Sequence, residues 1–465
     1  MQLDKDLQAR QEARDLCKQA ELAQQALFSF PQERLDAITE AVATAFQRAA
    51  AELAQMAVEE TGFGNVADKI TKNEFASKAV LEAMRPMKTV GILKETQGLW
   101  EVGVPVGVIA AIVPSTNPTS TVCYKSLVSL KAGNTVIFSP HPKALHCTLR
   151  AAKIVAEAAE KAGAPKGSVS CLSIPSLEGC RELMSHQNVR LILATGGPAM
   201  VKAAYSSGKP AIGVGAGNGP AYLHPSCDVK AALEKILKSK TFDNGTVCAS
   251  EQSIIVESAM EESVRQTAAA MGYYFLSDAE ANALGSILFR PNGALNPDIV
   301  GKAATVLAEK AGFSVPQSTK ILVAKERGVG ADYPYSHEKL CPVLGWYTVE
   351  NEEEARKLAM EILHHEGAGH TFCIHAKDPQ AVRRFCACIP VSRFLVNAPA
   401  AQGGIGAESS LFPALTLGCG AVGGSSSSEN ISPMALINIR KVAWGKQEND
   451  DLIEILTAKI LERLR

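Results

Sequence analysis

Cys248 is the side chain in this sequence with the clearest capacity for covalent chemistry. It stands in the stretch Asp243-Asn244-Gly245-Thr246-Val247-Cys248-Ala249-Ser250-Glu251-Gln252. A thiol on a turn that faces a cleft is a nucleophile once it loses its proton, whereas a free cysteine is commonly a small buried hydrophobe. The segment alone leaves both readings open. Two other stretches could receive an anion, Ser139-Pro140-His141-Pro142 and Thr195-Gly196-Gly197-Pro198. Each reads as a tight polar turn before a helix N-terminus, where unpaired N–H groups can meet a phosphate. No GxGxxG fingerprint accompanies them, and any βα connection uses glycine and proline. The densest glycine run, Gly213-Val214-Gly215-Ala216-Gly217-Asn218-Gly219-Pro220, reads either as a flexible interdomain connection or as backbone that must pass close to a ligand or strand.

The elements that must position these residues follow from periodicity. Upstream of Cys248, 228–241 carries Ala232, Ile236 and Leu237 on one face and Lys230, Glu234 and Lys238 on the other, which predicts an amphipathic helix. Downstream, Ser253-Ile254-Ile255-Val256 predicts a buried strand, and Asp243-Asn244-Gly245 is a turn signal between the two. The region 31–60 is helical by the spacing of Leu35, Ile38, Val42 and Ala45, and a further helix is expected to end near Met84. Gly103 to Val113 reads as a buried strand entered through a turn and ending at the loop Pro114-Ser115-Thr116-Asn117-Pro118. Strands at 135–138, 169–172 and 191–194 then alternate with helices at 142–161 and 177–185. Such alternation predicts a parallel sheet covered on both faces, with ligands outside the carboxyl ends of its strands. A second α/β region is expected to about Arg393.

The chain has 465 residues, 46% hydrophobic and 20% charged, which suits two or three soluble domains. A formal net charge of −1, without a long block of either sign, does not call for nucleic acid. No run is apolar enough to span a bilayer, and Met1 to Lys18 is charged throughout, so a cytoplasmic location is expected. The twelve cysteines are scattered, and the close pair Cys386-Ala387-Cys388 fits neither a zinc pair nor a redox CxxC. Reduced thiols and no metal site are expected. At the end, Leu452, Leu456, Ile460 and Leu464 recur every fourth position after the polar stretch 446–451. This predicts a short amphipathic helix on a tether, either docked on its own domain or a sister subunit, or a detachable targeting helix.

Together these motifs resemble the CoA-acylating branch of the aldehyde dehydrogenase superfamily, in particular the aldehyde dehydrogenase half of bifunctional aldehyde–alcohol dehydrogenases. The resemblance rests on Thr116-Asn117-Pro118-Thr119-Ser120-Thr121, Phe138 to Pro142, Ala194 to Asn218, Phe242 to Ser253, Glu338 to Val343, Gly369-His370-Thr371 and Leu417-Gly418-Cys419-Gly420. It implies an α/β fold with a Rossmann-type cofactor domain, a second α/β catalytic domain and a small oligomerisation element. The implied boundaries are 1–217 for the nicotinamide-cofactor domain, with 97–107 contributing to oligomerisation, and 218–410 for the catalytic domain carrying Cys248. Residues 411–445 would return to the cofactor domain and oligomerisation strands. Residues 446–465 would be the tethered helix, similar to the encapsulation peptides of enzymes housed in bacterial microcompartments.

The resemblance also implies roles. Cys248 would add to an aldehyde, the Asn117 side-chain amide and the Cys248 N–H would hold the oxyanion, and hydride transfer would leave a thioester. Glu338 would bind the nicotinamide ribose, Thr195, Gly196 and Gly197 would border the nicotinamide and phosphates, and Gly213 would also contact the cofactor. Ser139, Pro140 and His141 would meet the adenosine end of NAD or CoA. Hydrolytic relatives begin the glycine run with a glutamate that activates water, and here Gly213 takes that place. Its loss points to CoA as acyl acceptor, with His370 expected to deprotonate the thiol. Ser139 and Pro142 stand where hydrolytic relatives carry a lysine and a glutamate, which leaves NAD or NADP open with NAD expected. The expected substrate is acetaldehyde, with propionaldehyde, succinic semialdehyde or another small aldehyde as alternatives. A homo-oligomer, dimer or tetramer, is expected through strands near 99–102 and 437–442. From a different class, a cysteine acyltransferase or hydrolase without nicotinamide would use Cys248 and a distant histidine.

Overall fold

The computed structural model describes residues 4–445 and 448–464, the side chains of 448–452 apart. Part of the expected tether, Lys446 and Gln447, lies outside the described residues.

Among the described residues the strands form three sheets. In the first, Val169–Cys171, Val136–Ser139, Val108–Ile112, Val189–Thr195 and Ala211–Val214 lie side by side in that order, all parallel. The chain order reverses between Val108–Ile112 and Val189–Thr195, so the crevice beyond their carboxyl ends is a topological switch point. Alternation along these strands makes two cores. Ile109, Ala111 and Phe138 belong to one, while Val108, Ala110, Ile112 and Ile137 belong to the other. Period-two side chains require this when helices cover both faces. Lys125, fully buried on the helix Pro118–Lys131, donates to Ile112 O at 2.7 Å and Leu193 O at 2.8 Å. It ties the two central strand ends together, and burial pushes its ammonium down to about 7.

The second sheet has seven parallel strands in the order Tyr273–Phe275, Ile321–Lys325, Val343–Val349, Glu251–Glu257, Gly219–Leu223, Gly369–His375, Val391–Val396. Its faces are again separate cores, Ile254, Leu344 and Trp346 on one and Ile255, Tyr347 and Phe372 on the other.

The stretch from Gly103 to Val113, expected as a strand entered through a turn, has that turn at 105–107, but the residues before it belong to a separate strand. Leu99–Pro105 is the centre of a three-stranded antiparallel sheet, flanked by Gly91–Thr96 and Ile437–Ala443, and the parallel strand starts only at Val108. Pro105 and Gly107, the latter at φ +120°, turn the chain between the sheets. The segments 99–102 and 437–442, expected at an oligomer contact, pair with each other inside the chain. The charged start also has a structural role. The helix Lys5–Leu27 buries a narrow face of Ala9, Ala13, Cys17 and Ala20, and packs on Leu177–Ser185.

The glycine run is not a loose connection. Gly213 ends the first sheet within Ala211–Val214, and Gly219 begins the second within Gly219–Leu223. A Cβ on Gly219 would lie 2.7 Å from Thr371 O, so the close-approach reading is the one observed. A terminal helix forms, but it runs over Glu448–Arg463 and so takes in most of the stretch expected as a tether, and Ile453, Leu456, Ile460, Leu461 and Leu464 are each half exposed or more. Among the described residues, these apolar side chains are not docked on the chain's own domain.

Candidate active site

Cys248 follows the helix Val229–Thr241 and a tight turn, and precedes the strand Glu251–Glu257. The turn owes its shape to three consecutive residues with positive φ, Asp243 at 49°, Asn244 at 51° and Gly245 at 76°. Two of them are not glycine, so surrounding contacts must hold the strain. Asp243 supplies them. Its fully buried carboxylate accepts from Lys69 Nζ at 2.9 Å, Lys72 Nζ at 2.5 Å, Thr246 Oγ1 at 2.6 Å and Asn65 N at 2.9 Å. These contacts outweigh the burial that would raise its pKa, and the carboxyl is held below its usual range.

Cys248 is half-buried on the wall of a cleft of about 520 Å³, whose lining includes Asn117, Thr195, Gly196, Gly197, Glu338 and His141. Six of the expected site residues are thus brought together with it. Asn117 caps the helix Pro118–Lys131, with Pro118 at its first position. Thr195 to Gly197 leads from the strand Val189–Thr195 into the helix Pro198–Tyr205. These two loops are the paired strand ends at the switch point. A Cβ built at Gly197 or Gly215 meets nothing within 4 Å, so open backbone faces the cleft there. That openness, beside a helix N-terminus, fits the pyrophosphate of a dinucleotide.

Burial, followed by the charge on Glu338, pushes the Cys248 thiol up to about 12, and Arg393 opposes the shift. At neutral pH the resting side chain is therefore a thiol. Burial, and then the charge on Glu366, also pushes Glu338 up to about 8. Its Oε1 accepts from Gly217 N at 2.9 Å. Gly217 in turn packs on the nucleophile, since a Cβ there would fall 1.9 Å from Cys248 O and 3.2 Å from His370 Cε1.

Four expected site residues sit elsewhere than anticipated. Ser139 and Pro140 are buried behind the surface, and the lining at that corner is His141 and Lys143. The reason is the strand Val136–Ser139, which still runs inside the sheet at Ser139, whose carbonyl accepts from Val113 N at 3.0 Å. Gly213 is also off the cleft wall, which begins at Val214. Its N–H donates to Tyr205 Oη at 2.9 Å, and a Cβ would fall 2.6 Å from Val201 Cγ1. His370 was expected on a cleft loop but is the fully buried second residue of the strand Gly369–His375. Its Nδ1 pairs with Thr371 Oγ1 at 2.9 Å, while Nε2 has no partner among the described residues. Burial, and then Arg393, holds the imidazole neutral, well below its ordinary pKa.

Three residues not expected at the site, Lys69, Lys72 and Arg393, also bear on it. The two lysines lie one helical turn apart on Val66–Glu74, a spacing visible in sequence, but their partner Asp243 is more than 170 residues away. Arg393 is 2% exposed, donates to Gly369 O at 3.3 Å, and leaves Nε without a partner among the described residues. It favours the ionised forms of both Cys248 and Cys419. In the sequence it is one arginine in an apolar strand with no motif around it. Among the described residues no group of three or more metal-ligating side chains occurs, and no helix is long and apolar enough to cross a membrane.

Comparison with known proteins gives these features a context. Residues 5–287 match the aldehyde dehydrogenase family. The bifunctional aldehyde-alcohol dehydrogenase of Escherichia coli (strain K12) is 47% identical over 435 residues, covering 92% of this chain and 49% of that protein. The chain thus spans about half the length of the aldehyde-alcohol dehydrogenases it matches. The crystal structure of an acetylating aldehyde dehydrogenase from Geobacillus thermoglucosidasius superposes with a TM-score of 0.94 at 48% identity, covering 96% of this chain and 99% of that one. A propionaldehyde dehydrogenase from Rhodopseudomonas palustris, with bound CoA and an acylated cysteine, gives 0.85 at 29% identity, covering 93% and 97%.

Proposed function

The chain belongs to the aldehyde dehydrogenase family, and from that premise we propose that it is a CoA-acylating enzyme. It converts a short-chain aldehyde, CoA and NAD reversibly into acyl-CoA and NADH through a thioester on Cys248. The observation that carries the reading is the pairing of Cys248 and Asn117 in one cleft whose glycine segment offers no carboxylate to activate water. The acylated cysteine and bound CoA of the Rhodopseudomonas palustris relative support it.

The chain's own residues do the following. Cys248 gives its proton to solvent, with Arg393 opposing the effect of burial, and its sulfur bonds to the aldehyde carbon. The carbonyl oxygen becomes an oxyanion, which Asn117 Nδ2 and the Cys248 N–H receive. NAD, when bound, would accept the hydride, and Glu338 with Thr195 to Gly197 would hold it in the cleft. The acyl group is then carried to CoA sulfur, releasing Cys248. His370, with Nε2 unpaired among the described residues, is the proposed acceptor of the CoA thiol proton, although it does not line the cleft and burial and Arg393 oppose its protonation. Two other carboxyls, Glu338 and Asp298, line the cleft. Glu338 Oε1 is engaged by Gly217 N, and Asp298 stands at the exposed rim of the lining rather than in the glycine segment.

Acetaldehyde is the proposed substrate and NAD the proposed cofactor, with NADP and other small aldehydes next in line. We assign residues 1–217 to cofactor binding and 218–410 to catalysis. The return at 411–445 is supported by Ala414, Leu417 and Ile431, which share the core of the first sheet. The antiparallel sheet exposes Ile92, Leu99 and Ile439, which suits a homo-oligomer contact. The exposed apolar face of Glu448–Arg463 suits a shell-protein partner in a microcompartment within the cytoplasm.

The deciding experiment is an aldehyde panel assayed with and without CoA and with both nicotinamide cofactors, on the wild-type chain and Cys248→Ala. CoA-dependent NADH formation, absent in Cys248→Ala despite retained cofactor binding, is expected. Equal rates without CoA, with release of the free acid, would overturn the acylating assignment.

A further inference from the structure

Lys72 is 4% exposed, and three acceptors surround its ammonium: Asn117 Oδ1 at 2.5 Å, Asp243 Oδ2 at 2.5 Å and Thr246 Oγ1 at 2.9 Å. An ammonium has three N–H donors and no acceptor, so all three are used here. This settles which end of the Asn117 amide faces Lys72. A donor can be met only by the carbonyl oxygen, so the amide's N–H groups must point elsewhere. One reaches Thr116 Oγ1 at 3.2 Å, and the second is left for the cleft that Asn117 lines. Thr246 lies two residues before Cys248. One nitrogen therefore joins the Asn117 amide to the loop that carries the nucleophile.

The remaining contacts show that Lys72 is not needed merely to neutralise Asp243. Lys69 Nζ also bonds Asp243 Oδ2, at 2.9 Å, and Thr116 O at 2.9 Å. Asp243 N donates to Asp68 Oδ2 at 2.7 Å, and the Asn65 N–H donates to Asp243 Oδ1. With Lys72 removed, the aspartate keeps a cation and two other donors, whereas Asn117 Oδ1 loses its charged partner.

We propose that Lys72 is a positioning residue of the oxyanion site, fixing the Asn117 amide with its N–H toward the substrate oxygen and holding it in register with Cys248. A hydrogen bond from a cation to the amide oxygen also polarises the amide and strengthens its N–H as a donor. The proposal rests on the reading of Cys248 and Asn117 given above.

The test is the burst of NADH formed when chain, NAD and acetaldehyde are mixed without CoA, which reports hydride transfer whatever later accepts the acyl group. Removing one oxyanion donor lowers rates about 10²–10³-fold, so misplacing one through Lys72→Met should lower the burst rate about 10–10²-fold. Aldehyde and NAD affinities should stay within about threefold, because the lost interaction belongs to the transition state. Lys72→Arg, which keeps the cation, should recover most of the rate. In Asn117→Ala the loss should already be complete, so adding Lys72→Met should cost nothing further. A Lys72→Met burst equal to wild type, or a Lys72→Met loss that multiplies with that of Asn117→Ala, overturns the inference while leaving the proposed function intact. A wild-type chain with no burst overturns the proposed function, and the inference with it.

Discussion

Gly217→Ala is the substitution whose consequence can be worked most directly from the structure. The new Cβ would lie 1.9 Å from Cys248 O and 2.8 Å from Cys248 C, and both are backbone atoms that cannot rotate away. One of the two chains must move by more than an ångström to restore an ordinary contact. Overpacking of this kind costs about 1–3 kcal/mol, against a folding stability of about 5–15 kcal/mol, so the variant should fold. An ångström of misplacement at the reacting atoms can cost about 10²-fold, equivalent to about 2.7 kcal/mol in the barrier. The expected outcome is a folded protein with a lowered melting temperature and kcat reduced about 100-fold. The assay is CoA-dependent NADH formation at saturating substrates, with circular dichroism to verify folding. A kcat within threefold of wild type would refute the idea that Gly217 fixes the nucleophile. A loss confined to the KM for NAD would mean that the displaced group is Glu338, which Gly217 N–H also holds.

Two further outcomes are expected. Glu338 has its pKa raised from 4.5 to about 8 on folding, so the native state binds its proton more tightly and stability declines as pH rises from about 4.5 through 8. Glu338→Gln keeps the acceptor for Gly217 N–H but cannot ionise, so melting temperatures taken from pH 5 to 9 should fall less steeply than in wild type; parallel curves would contradict the raised pKa. Gly213→Glu should not create a CoA-independent hydrolase, because its Cβ would strike Val201 Cγ1 at 2.6 Å and Tyr205 Cε2 at 2.8 Å. Loss of about 1–3 kcal/mol of stability without CoA-independent acid release is expected, and measurable acid release would show that the helix Pro198–Tyr205 gives way.

The sequence by itself determined the nature of the elements and the order in which they come. Period-two and period-3.6 patterns are local, so the helix Val229–Thr241, the strand Glu251–Glu257 and the alternation through Val189–Thr195 could be read without a fold. The motif around Cys248 and the absence of a glutamate at Gly213 are likewise written in the chain. Backbone reversal was harder to see. Pro105 and Gly107 divide an apolar run between two sheets, because pairing with Ile437–Ala443 is a contact across more than 300 residues. What only the tertiary structure decided is the support around the nucleophile. Asp243 reads in sequence as one more turn residue. Folding brings Lys69 and Lys72 onto its carboxylate, and this holds the positive φ angles before Cys248 and orients Asn117. His370 reads as a loop base, yet strand pairing buries it behind Gly217. Burial also sets the protonation states of Cys248, Glu338 and His370, because desolvation depends on what surrounds a group in space.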